Sequence, residues 1–362
     1  MKRSLFFVEF CSKSTFFPSS ADHSSASDKP AAFSSYRACT LCPRECGADR
    51  RLTGGSSSTS SRLGFCGMSD ELRISRVGLH MWEEPCISGK TGSGTIFFTG
   101  CSLGCIFCQN HEISRRVKTS PASASEPSTT EYSASSENGG STGPYPLPGR
   151  VYTVEQLAEA MLDLQSQGAK NINFVTGTHF VPHIIEGVRL ARAKGLTVPT
   201  LYNCGGYESA ETIRSLEGTI DIYLPDMKFF SKKISSRYAH ASDYFDRAKE
   251  AIAEMVRQQP EQCFNEEGIM ERGVIVRHLM LPGLLFDTKH ILDYLCETYG
   301  NRITISLMNQ YTPMPGAPEE LSRPLPPEHY RSMIDHLDLM GQENAFIQEG
   351  GTVSESFIPD FE

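Results

Sequence analysis

The sequence predicts an α/β chain of six strand–helix units on a parallel sheet, either curled into part of a barrel or open and doubly wound. Three observations lead there. Six short, nearly continuous apolar runs recur from Thr95 onward, of the kind buried on both faces of a parallel sheet. Each run is followed by a stretch with helical apolar spacing. Three closely spaced cysteines stand just after the first run, and chemistry in such folds sits at the carboxyl ends of the strands.

The predicted strands are Thr95–Gly100, Ile172–Thr176, Thr197–Asn203, Ile220–Leu224, Gly273–Leu279 and Ile303–Met308. The first predicted helix, Thr153–Gln167, carries Val154, Leu157, Ala158, Met161 and Leu162 on one face. Thr153 and Gln156 form a capping box at its start, and Gly168 ends it. Val181–Lys194, Ser209–Leu216, Ala241–Gln258, Asp287–Tyr299 and Pro327–Met340 repeat the pattern less strongly.

Between these units lie tracts of a different composition. Residues 1–36 hold ten serines, and Ser, Thr, Pro and Gly make up 21 of the 32 residues at 119–150. Such segments bury too little apolar surface to offset their ordering entropy and are expected to be disordered. The chain therefore divides into a disordered or weakly targeting segment at 1–36, a cysteine-rich segment at 37–93, a βα core at 94–345 interrupted at 119–150, and a tail at 346–362. No apolar run has the length of a membrane span, so no membrane partner is expected. The net charge of −9 gives no overall pull toward phosphate backbones, so nucleic acid is not the expected partner. Glu9 interrupts the short apolar stretch that begins like a secretory signal. The expected compartment is the cytoplasm, with organelle import left open by the early basic residues and serines.

Eight of the twelve cysteines fall between positions 39 and 108. In a reducing compartment such clusters are more often metal ligands than disulfides. Cys101-Ser-Leu-Gly-Cys105-Ile-Phe-Cys108 places three thiols on one tight loop after the first strand. Soft thiolates select iron–sulfur clusters or zinc. Three ligands leave one iron of a [4Fe–4S] cluster open, as a catalytic centre requires. The rival is a zinc ribbon pairing Cys39 and Cys42 with Cys105 and Cys108. The 62 residues between Cys42 and Cys105 exceed the usual gap of about 15–20.

With these residues in view, the chain resembles the radical S-adenosylmethionine (SAM) superfamily. Trp82-Glu-Glu-Pro-Cys-Ile-Ser-Gly-Lys, Gly94-Thr-Ile-Phe-Phe-Thr-Gly-Cys101, Cys108-Gln-Asn-His-Glu-Ile-Ser, Leu224-Pro-Asp-Met-Lys and Val276-Arg-His-Leu-Met-Leu-Pro-Gly are similar to the pyruvate formate-lyase activating enzyme-like branch. The resemblance runs from about Ala38 to Phe361 and implies a partial (βα)6 TIM-like barrel with a cysteine-rich N-terminal extension. It also implies a [4Fe–4S] cluster on Cys101, Cys105 and Cys108 with SAM on its open iron. One electron would then cleave SAM to a 5′-deoxyadenosyl radical that takes hydrogen from a substrate. The protein's task in such chemistry is to hold and shield the cofactors.

The resemblance further implies roles at the strand ends. Asp226-Met-Lys228 is similar to the activating enzymes' Asp-x-Lys, in which Lys meets the SAM carboxylate. Asn203 stands where those enzymes often carry an aspartate, and Phe107 is either packed near the adenine or a core aromatic. The family's Gly-Gly-Glu after the second strand is replaced by Thr176-Gly-Thr-His179, so His179 is either a polar SAM contact or a loop histidine. Arg277 ends the fifth strand as a site residue or one half of a salt bridge. Trp82, with Glu83 and Glu84, reads as a core anchor more readily than as a substrate entrance.

Cys39, Cys42, Cys46 and Cys66 form a second set that minimal activating enzymes lack, suited to zinc, to an auxiliary cluster or to neither. The remaining cysteines read as incidental thiols. The implied substrate is a protein, with glycyl-radical installation as the precedent and a flavodoxin- or ferredoxin-type reductant. A small molecule or RNA as substrate, and a non-catalytic zinc-binding module, are the competing readings.

Overall fold

The structure, a computed structural model, describes residues 31–51, 63–114, 148–314 and 317–348. Residues 1–30 of the segment expected to be disordered or weakly targeting, Cys11 among them, the serines at 54–61, positions 119–147 of the insertion and most of the 346–362 tail lie outside the described residues.

Among the described residues ten strands make one sheet: β1 (Arg73–His80), β2 (Ser93–Phe98), β3 (Arg150–Val151), β4 (Ile172–Val175), β5 (Thr200–Cys204), β6 (Ile222–Pro225), β7 (Cys263–Phe264), β8 (Met270–Leu279), β9 (Thr304–Met308) and β10 (Ala345–Ile347). The helices are α1 (Pro85–Ser88), α2 (His111–Ser114), α3 (Val154–Ser166), α4 (Val181–Ala193), α5 (Ala210–Ser215), α6 (Lys232–Ala239), α7 (Tyr244–Gln258), α8 (Leu285–Tyr299) and α9 (Pro327–Leu339).

β2, β4, β5, β6, β8, β9 and β10 lie side by side in that order, all parallel. Because strand order follows chain order without reversal, the sheet has no switch point of the doubly wound kind and winds one way, as in a partial barrel. It is not closed, and β10 and β3 are its two ends. The six predicted strands all appear. β10 is a seventh parallel strand, and β1 pairs antiparallel with β2 outside the predicted set. β1 reads Arg-Ile-Ser-Arg-Val-Gly-Leu-His, an alternation suited to a half-covered strand near the sheet's end.

The capping box of α3 is formed. The Gln156 amide donates to Thr153 Oγ1 at 3.2 Å, and the Thr153 amide donates to Gln156 Oε1 at 2.9 Å. The helix expected at Ala241–Gln258 forms as α7 from Tyr244, and α6, which His240 ends in the left-handed conformation at φ 52°, is an additional helix before it.

The period of two along each strand sorts its side chains into two layers. Ile96, Phe174, Tyr202, Val276 and Ile305 join Leu157, Met161, Ile184, Ile252 and Ile291 of the helices in the main core. Their neighbours Leu201, Leu224 and Ile275 point the other way and pack with Cys86, Ile87 and Met270 of the concave side. Further along that concave face, toward the carboxyl ends, polar residues take over.

Candidate active site

A cavity of about 650 Å³ opens at the carboxyl ends of the parallel strands. The loop after β2 enters it through two glycines in the left-handed region, Gly100 at φ 89° and Gly104 at φ 71°. Between and just beyond them, Cys101, Cys105 and Cys108 all line the cavity. The Leu103 amide donates to Cys101 Sγ at 3.4 Å, and the Ser114 hydroxyl donates to Cys108 Sγ at 3.3 Å. Burial pushes the Cys105 thiol up to about 12, and the nearby Lys228 cation works against that rise.

Lys228 and Asp226 sit on the turn after β6 and face the same cavity as an ion pair, each about one-fifth exposed. The turn is held tightly: the Asp226 amide donates to Cys204 O at 2.9 Å and the Met227 amide to Arg277 O at 2.8 Å. Tyr244 Oη accepts the Lys228 amide at 2.9 Å. Gly206 packs so closely here that a Cβ would lie 2.0 Å from Asp226 O, and its φ is 77°. Burial opposes charge on Lys228, yet the Asp226 carboxylate outweighs it and holds the ammonium protonated. Asn203, at the end of β5, completes the group. Cys101, Cys105, Cys108, Asn203, Asp226 and Lys228 therefore line one cavity.

Charges that the sequence did not pair lie on the other side of the cavity. Arg277, from β8, meets both Glu83 and Glu84, whose side chains are 8% and 5% exposed. Burial raises the Glu84 carboxyl, but Arg277 more than compensates and leaves it below its ordinary range. Asn173 Nδ2 donates to Glu83 Oε1 at 2.9 Å. Thr176, beside Asn203, takes φ 59°, a strained value for a β-branched residue at a cavity wall.

The family model of the radical SAM superfamily matches residues 95–295, from β2 into α8. The chain belongs to the radical SAM superfamily. A protein of Methanocaldococcus jannaschii described as uncharacterized is 26% identical over 281 residues, covering 77% of this chain and 67% of the relative. Membership implies an enzyme that works with a [4Fe–4S] cluster and SAM.

The cavity's chemistry fits those groups. Three soft sulfur donors, two of them accepting hydrogen bonds, suit iron–sulfur ligation, and the part-buried Lys228, paired with Asp226, brings a cation to the same cavity. Among the described residues no three His, Cys, Asp or Glu side chains converge on one ion position. A four-iron cube does not require that, because each thiolate takes a different iron.

The radical SAM cavity also revises two expectations. Trp82 is 56% exposed at the rim and is not a core anchor, because the chain turns outward between β1 and α1. His179 is 3% exposed, does not line the cavity and donates from Nε2 to Thr99 O at 2.7 Å. Burial, then the Arg50 charge, lower its pKa to about 3, so it is neutral, and of the two readings the structural one holds. Phe107 lines the cavity and packs edge-on against Phe229. Among the described residues no helix is long and apolar enough to cross a membrane.

Proposed function

We propose that Cys101, Cys105 and Cys108 each give one thiolate to a [4Fe–4S] cluster whose open iron takes SAM, and that the enzyme acts on a protein chain in the manner of glycyl-radical activation. The observation that carries the cofactor assignment is the convergence of these three cysteines, Lys228, Asp226 and Asn203 on one cavity. When bound, the cluster and SAM supply one-electron cleavage of a sulfonium–carbon bond and the abstraction of a hydrogen atom from the substrate.

The chain's own residues do the rest. Lys228 meets the SAM carboxylate, a charge-assisted contact strengthened by the shielded position. Asp226 orients Lys228. Asn203 offers an amide to the same molecule, and Phe107 closes the wall beside it. Met81 and Trp82, 43% and 56% exposed at the rim, give an incoming polypeptide an apolar surface to lie on. The similarity of the strings around Trp82 and Cys108 to activating enzymes supports the same substrate class. A flavodoxin- or ferredoxin-type protein in a reducing compartment such as the cytoplasm supplies the electron.

Anaerobic reconstitution tests the cofactor part. The wild type should hold iron and sulfide and convert SAM to 5′-deoxyadenosine and methionine, and Cys101→Ala, Cys105→Ala and Cys108→Ala should each lose both properties. Normal cluster content and turnover in Cys101→Ala would overturn the assignment. For the substrate, a deuterated protein extract freed of small molecules should place deuterium in 5′-deoxyadenosine. Label arriving only from the small-molecule fraction would overturn the protein-substrate part.

A further inference from the structure

Outside the radical SAM cavity, four more cysteines share one patch of the N-terminal segment. Cys39, Cys42 and Cys46 sit on a folded-back turn. The Cys39 amide donates to Ala48 O, the Gly47 amide to Cys39 O and the Glu45 amide to Cys42 O, each at 3.0 Å. Glu45 and Gly47 take φ 40° and 60° to make that turn. Cys66 arrives from the returning chain. A Cβ on Gly64 would lie 2.7 Å from Cys46 Sγ and 3.9 Å from Cys66 Sγ, so the bare backbone at Gly64 lets both sulfurs close in. Cys42 and Cys66 each lie within electrostatic reach of Cys39.

Arg50 is buried against this patch at 1% exposure. Its guanidinium donates to the carbonyls of Met68 at 3.0 Å, His179 at 2.8 Å and Ser69 at 2.7 Å, and lies over the rings of Tyr36 and Phe180. Carbonyls satisfy its hydrogens but do not balance its charge, and a guanidinium stays protonated. A buried cation without a counterion is expensive. Among the described residues, the ionisable group its guanidinium is hydrogen-bonded to is Cys39, whose Sγ lies 3.7 Å from Nη1, and Cys66 is within its electrostatic reach. Thiolates bound to a metal would place negative charge beside this guanidinium.

We propose that Cys39, Cys42, Cys46 and Cys66 hold a second thiolate-bound metal centre, with Arg50 as its buried countercation. Geometry carries the assignment: three of the cysteines share one folded-back turn, the fourth approaches Cys46 at Gly64, and a buried guanidinium lies 3.7 Å from Cys39 Sγ, although among the described residues the sulfurs do not already converge on one ion position. Zinc and an iron–sulfide cluster share the required soft-donor chemistry. The centre has a mechanical consequence. Arg44, between Cys42 and Cys46, donates to Ser102 O at 2.9 Å, Leu103 O at 3.3 Å and Ala239 O at 3.0 Å. Fixing Cys42 and Cys46 therefore fixes the outer side of the loop that carries Cys101 and Cys105.

The test removes the first cluster and asks what metal remains. The chain with Cys101, Cys105 and Cys108 all changed to Ala, purified anaerobically, should still hold one zinc ion or one set of iron and sulfide per chain. Cys46 is exposed and would react with iodoacetamide at once as a free thiol. In the metal-loaded protein its alkylation should be slowed at least about tenfold and restored by a strong chelator. Adding Cys42→Ser should abolish the residual metal. If the triple variant fails to fold, Cys46 labelling in the wild type gives the same answer, because Cys46 is no ligand of the first cluster. Loss of all metal in a folded triple variant, or Cys46 labelled at the free-thiol rate in the wild-type holoprotein, would overturn the proposal.

Discussion

Arg277 and Glu84, 193 residues apart in the chain, close a two-point ion pair: Nε donates to Oε1 at 2.8 Å and Nη2 to Oε2 at 2.6 Å. Nη2 also donates to Glu83 Oε2, so one cation holds two buried carboxylates at the cavity wall. Removing one member of a buried pair leaves the others uncompensated. Arg277→Met should therefore destabilise the fold by about 3–5 kcal/mol, measured by urea unfolding. A loss below about 1 kcal/mol would mean that the group behaves as a solvated surface pair.

Lys228 is the part-buried cation proposed to meet the SAM carboxylate. Lys228→Met should weaken SAM binding by about 10- to 100-fold, the worth of a hydrogen bond to a charged group, while the cluster's absorbance is retained. Equilibrium dialysis on the cluster-loaded variant measures it. Unchanged affinity would remove Lys228 from the SAM site.

Glu208, 1% exposed, accepts the Thr178 hydroxyl at 3.0 Å and the Tyr202 hydroxyl at 3.3 Å. Burial raises its pKa to about 8, against those hydrogen bonds and one from Cys204. The folded state therefore keeps a proton that the unfolded chain loses above about pH 4.3. The resulting stability is fully present below that pH and falls by up to roughly 1.4 kcal/mol per pH unit as the pH rises toward 8. Glu208→Gln should flatten this slope between pH 5 and pH 8 in thermal unfolding. An unchanged slope would show that another group titrates there.

Composition and the described edges of the insertion give different expectations for its two parts. Deleting residues 120–147, within a tract rich in Ser, Thr, Pro and Gly, should leave SAM cleavage intact. Extending the deletion through Gly149 should lower the melting temperature, because Pro148 O accepts from Thr99 Oγ1 and Gly149 O from Arg73 Nη1, both at 3.0 Å. Loss of SAM cleavage by the shorter deletion, with the cluster still present, would show that the tract takes part in the reaction.

Local order in the sequence was enough for six of the parallel strands, the capping box of α3 and the spacing of Cys101, Cys105 and Cys108, because apolar period, caps and loop cysteines depend on residues a few positions apart. The concave row could also have been found there, since Asn203 and Arg277 are polar residues interrupting apolar strands. What faced them could not. β1 escaped because its alternation with Arg73, Ser75 and Arg76 resembles surface, and β10 because three residues carry too little period. Which carboxylates Arg277 would meet, that Arg44 would reach Ser102, that Arg50 would be buried beside Cys39 and that Trp82 would stand exposed were decided by the tertiary structure. Each depends on which strands become neighbours and on how the N-terminal segment docks against the sheet. Charge pairing across more than a hundred residues leaves no periodic trace along a chain, because it is selected by distance in space and by the cost of burying either charge alone.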